Sequence, residues 1–99
     1  MDIPQPAYVI GHITVKDPEK WAAYRQQVPA TLAPWGAELL LRGRRFAVFS
    51  GEHGHTDTVV IRFPDAAAAA AWYRSPAYQA LVPLRREAAE VDLIAFDAV

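Results

Sequence analysis

The chain has 99 residues, of which 53% are hydrophobic and none is cysteine, and its formal charge is −1. This length suits one domain, residues 1–99, without disulfides or thiolate metal sites for support. The balanced charge lacks the long-range field that a general nucleic-acid binder needs, so we expect no nucleic-acid partner. Residues 1–4 lack a signal-peptide pattern, and no apolar run reaches the roughly 18 residues of a membrane span. We therefore expect a cytoplasmic protein with no membrane partner.

A strand and a helix open the chain. Residues 7–15 are rich in β-branched and aromatic side chains, which favours a strand. Asp17 and Pro18 then predict a helix start, because aspartate accepts hydrogen bonds from free backbone amides and proline suits the first turn. The helix continues as an apolar stripe at spacings of three and four residues. Its members are Trp21, Tyr24, Val28 and Leu32.

The segment after this stripe is less regular. Pro29 predicts a kink or a loosened last turn, and Pro34-Trp35-Gly36 predicts the helix end. Residues 38–42 favour a short strand. Gly43-Arg44 favours a tight turn or bulge, with residues 46–50 as a continuation or a hairpin arm. A polar loop then leads to the clearest strand, residues 56–63.

The second half repeats the helix chemistry of the first. Asp65 predicts the cap of an alanine-rich helix over residues 66–74, and Ser75 that of a second helical piece running to about Ala89. Pro83 predicts a break or bend in that piece. Residues 91–97 favour a last strand. The order β-α-β-β-α-β predicts an α+β, ferredoxin-like domain, with a four-stranded antiparallel sheet and both helices on one face.

The helix-free face of this sheet is expected to be apolar. Strand residues alternate between faces, yet apolar residues stand at both odd and even positions of the strands. Leaving several hundred Å² of such surface in water costs several kcal/mol at about 25 cal/mol per Å². A second copy, packed sheet against sheet about a twofold axis, is the simplest cover, so we expect a homodimer. The alternative is that the termini or a longer, bent helix cover this face.

Motifs spread from about residue 7 to residue 96 are similar to those of a known family. The most specific is Trp72-Tyr73-Arg74-Ser75-Pro76-Ala77-Tyr78-Gln79, which follows a Phe-Pro-Asp helix start at residues 63–65. The others are Asp17-Pro18-Glu19, Tyr24, Gly36, Arg42-Gly43, Gly51-Glu52 and residues 59–64. Together they resemble the domain-of-unknown-function 1330 family.

This resemblance implies a dimeric α/β-barrel fold and assigns no activity. Superfamily relatives include cofactor-independent monooxygenases, lactone isomerases and haem-binding enzymes, and a shared fold does not choose among them. The chain departs from the family at Arg62, because a carboxylate usually precedes Phe-Pro there. If that carboxylate is catalytic in relatives, this chain has lost it or has inverted the charge of the site.

The first candidate ligand site is the start of the second helical piece. Ser75 caps amides that attract an anion, and we expect Arg74, Tyr78 and Arg85 to converge there. Such a site suits a carboxylate or enolate on a small, partly aromatic molecule. The whole predicted pocket, between sheet and helices, comprises Trp21, Tyr24, Trp72, Arg74, Ser75, Tyr78 and Arg85. The alternative is that Ser-Pro only starts a helix and the aromatic side chains fill the core.

His12 is a second candidate. His12 and Tyr8 point to the same face of their strand, and we expect Arg62 to share that face. A neutral histidine there suits a general base. His12, Arg74 and Tyr78 are the candidate catalytic residues. The alternative is a histidine hydrogen-bonded at an interface.

The polar loop contains His53 and His55 beside Glu52 and Asp57, residue types that bind divalent ions. No third histidine is near in sequence, and the segment is also typical of a polar hairpin loop. We therefore predict no metal and no cofactor.

Two catalytic motifs are absent from the sequence. Neither serine lies in a Gly-x-Ser-x-Gly elbow, and no glycine-rich phosphate loop is present. The sequence favours a dimer with one small pocket per subunit for an organic acid or aromatic molecule, acting as a cofactor-independent enzyme or only as a binder. The alternative is a non-catalytic structural or interaction module with no ligand site.

Overall fold

A computed structural model of the protein describes residues 5–99, so the inference drawn from residues 1–4 lies outside the described residues. The strands form one antiparallel sheet in the order β2-β3-β1-β4. They are β1 (Ala7–Val15), β2 (Glu38–Arg44), β3 (Asp57–Phe63) and β4 (Ala89–Asp97). The helices are α1 (Pro18–Leu32), α2 (Ala66–Arg74), α3 (Pro76–Gln79) and α4 (Val82–Ala88). This arrangement confirms the predicted α+β, ferredoxin-like fold.

Side-chain caps begin the helices where the sequence predicts them. Asp17 Oδ1 accepts hydrogen bonds from the amides of Glu19 and Lys20, each at 3.1 Å. Asp65 accepts from the amide of Ala68 at 2.7 Å. Each carboxylate satisfies amides that have no partner within the helix.

The end of α1 follows the two prolines and the glycine. Pro29 lies inside the helix, which passes into a short 3-10 turn over Ala33–Trp35. Gly36 then adopts a φ of 64°, a left-handed conformation that glycine reaches without a Cβ penalty. The predicted helix end is confirmed, and the chain turns there toward β2.

The predicted turn at Gly43-Arg44 is wrong. These residues continue β2 and pair with Thr58 and Asp57, while the irregularity lies between Leu39 and Leu41. Residues 46–50 form no strand, because β2 is the edge strand and β3 begins only at Asp57, which leaves them no neighbour to pair with. The loop is closed at its base by a 2.7 Å hydrogen bond from the Arg45 amide to the Thr56 carbonyl.

The helical piece after Ser75 breaks earlier than predicted. The gap between α3 and α4 falls at residues 80–81, and Pro83 lies in the first turn of α4. A proline there costs no hydrogen bond, because first-turn amides have no partner within the helix. Ala89, expected at the helix end, instead begins β4.

The core lies between the helices and the inner face of the sheet. The largest fully buried side chains are Phe63, Trp72 and Tyr78. Gly11 is on the inner face of β1, where an added Cβ would lie 2.8 Å from Val59 Cγ1 and 3.3 Å from Leu93 Cδ2. The missing side chain of Gly11 therefore gives room to these two neighbours.

The helix-free face carries an apolar row across all four strands. Leu41 pairs with Val60, Val60 with Ile10, and Ile10 with Ile94. In the next row, Tyr8 lies between Arg62 and Phe96. Leu41 is 49% exposed and Ile94 is 42% exposed. In a single chain this face thus presents apolar side chains to water.

Among residues 5–99 we find no helix with both the length and the apolar character needed to cross a membrane.

Candidate functional site

A cavity of about 270 Å³ lies between α1 and the inner face of the sheet. We call it the α1 cavity. Its volume is close to the lower end of ligand pockets, roughly 300 Å³. Its walls are mainly apolar and aromatic and include Trp21, Tyr24, Val28, Val59, Trp72 and Leu93. Val59 and Leu93 occupy the space that a side chain at position 11 would fill.

The aromatic walls are held in fixed orientations. Trp21 and Tyr24 stack with ring centroids 5.1 Å apart. Trp72 is 1% exposed, and its indole N–H donates a 3.0 Å hydrogen bond to the Thr31 hydroxyl. The Thr31 hydroxyl in turn donates to the Val28 carbonyl at 2.7 Å. The last turn of α1 therefore positions the indole.

The charged groups that line the α1 cavity are Arg25, Arg42 and Asp57. None of the three was predicted to be a pocket residue. Arg25 had a signal, since it stands four residues after Trp21 and shares its helix face. Arg42 had none, because the register shift at residues 39–41 brings it to the inner face beside Val59. Two cations against one anion favour a ligand with negative charge.

A chain of hydrogen bonds crosses the core behind Tyr24. Arg85 Nη1 donates to the Tyr78 hydroxyl at 2.9 Å, and the Tyr78 and Tyr24 hydroxyl oxygens are 2.8 Å apart. Burial raises the pKa of the Tyr24 hydroxyl well above its usual range, and Arg85 opposes the rise. Burial lowers the pKa of Arg85, but its contacts with Tyr78 outweigh this and leave it raised. Tyr24 is therefore neutral and Arg85 charged at ordinary pH.

Of the seven predicted pocket residues, three line the α1 cavity, two lie behind Tyr24 and two lie apart from the cavity. Trp21, Tyr24 and Trp72 line the α1 cavity. Tyr78 and Arg85 lie behind Tyr24, outside the cavity lining.

The other two predicted polar anchors lie apart from the α1 cavity. The Ser75 hydroxyl donates to the Trp72 carbonyl at 2.7 Å and is 3.2 Å from the Tyr78 amide, so its bonds are internal. Arg74 lines a different cavity of about 390 Å³, beside Phe96 and Asp97.

The chain's three histidines cluster on the helix-free side of the sheet. The ring centroids of His12 and His53 are 5.0 Å apart, and those of His53 and His55 are 5.9 Å apart. His55 lies 2.9 Å from the Thr14 hydroxyl and 3.0 Å from an Asp92 carboxylate oxygen, which ties the loop to β1 and β4. His12 Nδ1 is buried without a hydrogen-bond partner within residues 5–99.

This cluster is distinct from the α1 cavity. The sequence did not predict that His12 lies beside His53, because β1 and the loop after β2 meet only in the folded sheet. Across residues 5–99, no three His, Cys, Asp or Glu side chains are arranged to hold a metal ion. His12 also shares its face with Tyr8 and Arg62, which are cross-strand partners.

Solved structures share this fold at low sequence identity. A protein of unknown function from Rhodopseudomonas palustris, RPA0582, has a TM-score of 0.80 and 18% identity, covering 96% of this chain and 83% of its own. SnoaB from Streptomyces nogalater, a cofactor-independent oxygenase, has a TM-score of 0.67 and 13% identity, covering 96% and 94%. A dabb family protein with a ferredoxin-like fold from Mesorhizobium loti has a TM-score of 0.67 and 17% identity, covering 96% of each chain.

The comparison with curated proteins found no match. The likeness to solved structures supports the fold and assigns no activity. The family comparison covers almost the whole chain, since residues 6–99 match the family described as domain of unknown function (DUF1330). The chain therefore belongs to the domain-of-unknown-function 1330 family.

Proposed function

We propose that this protein binds a small, flat, aromatic or unsaturated molecule in the α1 cavity. The observation that carries the proposal is a cavity of about 270 Å³ walled by Trp21, Tyr24 and Trp72, inside a domain of 99 residues. Natural cores pack closely and leave few voids larger than a water molecule, so a cavity of this size with oriented aromatic walls suits a ligand.

The charged lining favours an acidic ligand. Arg25 and Arg42 are exposed, so they can reach a carboxylate at the cavity edge while the ring of the ligand occupies the apolar interior. Exposed ion pairs contribute only about 0.2–1 kcal/mol, so the arginines select among ligands and the apolar walls supply most of the affinity.

The protein is proposed to work as a homodimer, with the helix-free faces of two copies packed together. The row Leu41, Val60, Ile10 and Ile94 supports this, because it runs across the whole sheet and Leu41 and Ile94 remain about half exposed in one chain. A second copy covers this row without any new secondary structure. The α1 cavity is on the opposite side of the sheet, so each subunit keeps its own cavity.

The binding experiment compares 2-naphthoate with uncharged 2-naphthamide. We expect 2-naphthoate to raise the thermal midpoint. At a hundredfold excess over Kd, binding adds about 2.7 kcal/mol to the free energy of unfolding. The variant Ala33→Phe places a ring at the cavity wall and should abolish the shift. Ala23→Phe is the matched control, because Ala23 is exposed like Ala33 but does not line the cavity. Arg42→Gln should weaken 2-naphthoate a few-fold and leave 2-naphthamide unchanged.

Two outcomes decide between the hypotheses. If neither compound shifts the midpoint and Ala33→Phe behaves like the wild type, the protein is a non-catalytic module and the proposal is wrong. Turnover has its own readout, because SnoaB, of the same fold, is a cofactor-independent oxygenase. Consumption of dissolved oxygen with 1,3-dihydroxynaphthalene, lost in Ala33→Phe, would make the chain an enzyme. Binding without consumption would make it a binding protein for this ligand class.

A further inference from the structure

Three polar side chains lead from the α1 cavity to the partly exposed Arg85. Tyr24 lines the cavity and is 7% exposed, and Tyr78 behind it is fully buried. Arg85, on α4, closes the series through its 2.9 Å bond to Tyr78. These three groups therefore form one continuous hydrogen-bonded series that ends at the cavity wall.

The direction of the hydrogen bonds follows from the donor and acceptor capacities of the groups. A guanidinium only donates, so the Tyr78 oxygen accepts from Arg85. Within residues 5–99, Tyr24 is the other hydrogen-bond partner of the Tyr78 hydroxyl. A buried O–H needs an acceptor, so Tyr78 donates its proton to the Tyr24 oxygen. The proton of Tyr24 is then directed away from Tyr78, and no group among the described residues accepts it.

We infer that the α1 cavity binds its ligand through an oxygen atom that accepts a hydrogen bond from the Tyr24 hydroxyl. The ligand class is a ring compound with a carbonyl, enolate or phenolate oxygen, and this inference rests on the proposed function of the cavity. Tyr24 is the group that contacts the ligand. Tyr78 and Arg85 act through it as positioning residues.

The series strengthens the bond that Tyr24 donates. Each hydrogen bond polarises the next one, and the series begins at a positive charge. Tyr78 and Tyr24 are buried, so the field of Arg85 is screened less along this series than it would be in water. The pKa of Tyr24 is raised by burial, so the hydroxyl remains a neutral donor at ordinary pH. Arg25 and Arg42 are separate, since they line the cavity and take no part in the series.

The test uses two probes that differ in one oxygen, 4-nitrophenolate and nitrobenzene, at about pH 8.5, where 4-nitrophenol is ionised. The measured quantity is the ratio of their affinities in each variant. We expect Tyr24→Phe to lower this ratio about tenfold, because a hydrogen bond to a charged oxygen is lost, and to leave nitrobenzene binding unchanged. Tyr78→Phe and Arg85→Met should lower the ratio about threefold, and Arg85→Lys should restore part of it.

Absorbance supplies a second readout that a structural role would not move. The bound 4-nitrophenol should ionise at lower pH in the wild type than in Tyr24→Phe, as followed at the phenolate band. If Tyr78→Phe does not fold, Arg85→Met carries the test of the series, since Arg85 is partly exposed. Binding of both probes with a ratio unchanged by Tyr24→Phe overturns this inference and leaves the cavity proposal standing. Binding of neither probe overturns both.

Discussion

The hydroxyl oxygens of Tyr24 and Tyr78 lie 2.8 Å apart, although 54 positions separate the two residues in the chain. One hydroxyl comes from the middle of α1 and the other from the one-turn helix α3. The fold brings them together at the wall of the α1 cavity, where both side chains are buried.

Tyr24 should make the protein less stable in alkali. Its folded-state pKa is raised above the value of about 10 of an unfolded chain. The contribution of Tyr24 to the free energy of unfolding is therefore complete below about pH 10. It declines as the pH rises further, because the tyrosine of the unfolded chain loses its proton at a lower pH than that of the folded chain. Urea midpoints measured at about pH 8 and about pH 10.5 should fall more in the wild type than in Tyr24→Phe. Equal falls in both proteins would contradict the assignment.

Gly11 should be intolerant of any side chain. In Gly11→Ala the new methyl group would lie 2.8 Å from Val59 Cγ1, and a β-branched valine in a central strand has little freedom to move. We expect a loss of about 1–3 kcal/mol in the free energy of unfolding, measured by denaturant titration. Gly54→Ala is the control, because an added Cβ at Gly54 meets nothing within 4 Å. Similar stabilities for the two variants would show that the sheet relaxes around position 11.

Thr31 should stabilise the core through one hydrogen bond. Thr31→Val keeps the shape of the side chain but leaves the Trp72 indole N–H, which Thr31 now accepts at 3.0 Å, buried without a partner. We expect a loss of about 1–3 kcal/mol in the free energy of unfolding. Thr31→Ser retains the hydroxyl and should lose less. The prediction fails if valine is as stable as serine at this position.

The helix-free face should determine the mass in solution. We expect the wild type to sediment at twice its 11.0 kDa chain mass at micromolar concentration. Ile94→Glu places a charge in the apolar row and should give a folded monomer, because burying an unpaired carboxylate against a second copy is costly. Tyr73→Glu is the matched control, since Tyr73 is also 42% exposed but lies on α2. A wild type that sediments as a single chain would remove the dimer.

Local sequence signals predicted most of the fold. Caps at Asp17 and Asp65 act on amides within three residues, so they determined both helix starts without help from distant parts of the chain. β1 and α2 were predicted with the boundaries that the structure has. One error falls where an edge strand and a loop meet, at residues 43–50, because pairing depends on which neighbour is present. The other concerns the helical piece after Ser75, which breaks at residues 80–81 and ends before Ala89.

The sequence predicted only part of the candidate site. The helical stripe predicted Trp21 and Tyr24 on one inward face of α1, since spacing alone places them together. The register shift at residues 39–41, which brings Arg42 to the cavity, depends on how β2 pairs with β3. The contacts of Tyr78 with Tyr24 and Arg85 join separate helices. Periodicity and capping act within a few residues, and they determined the elements; which polar groups meet across the core was decided by packing alone.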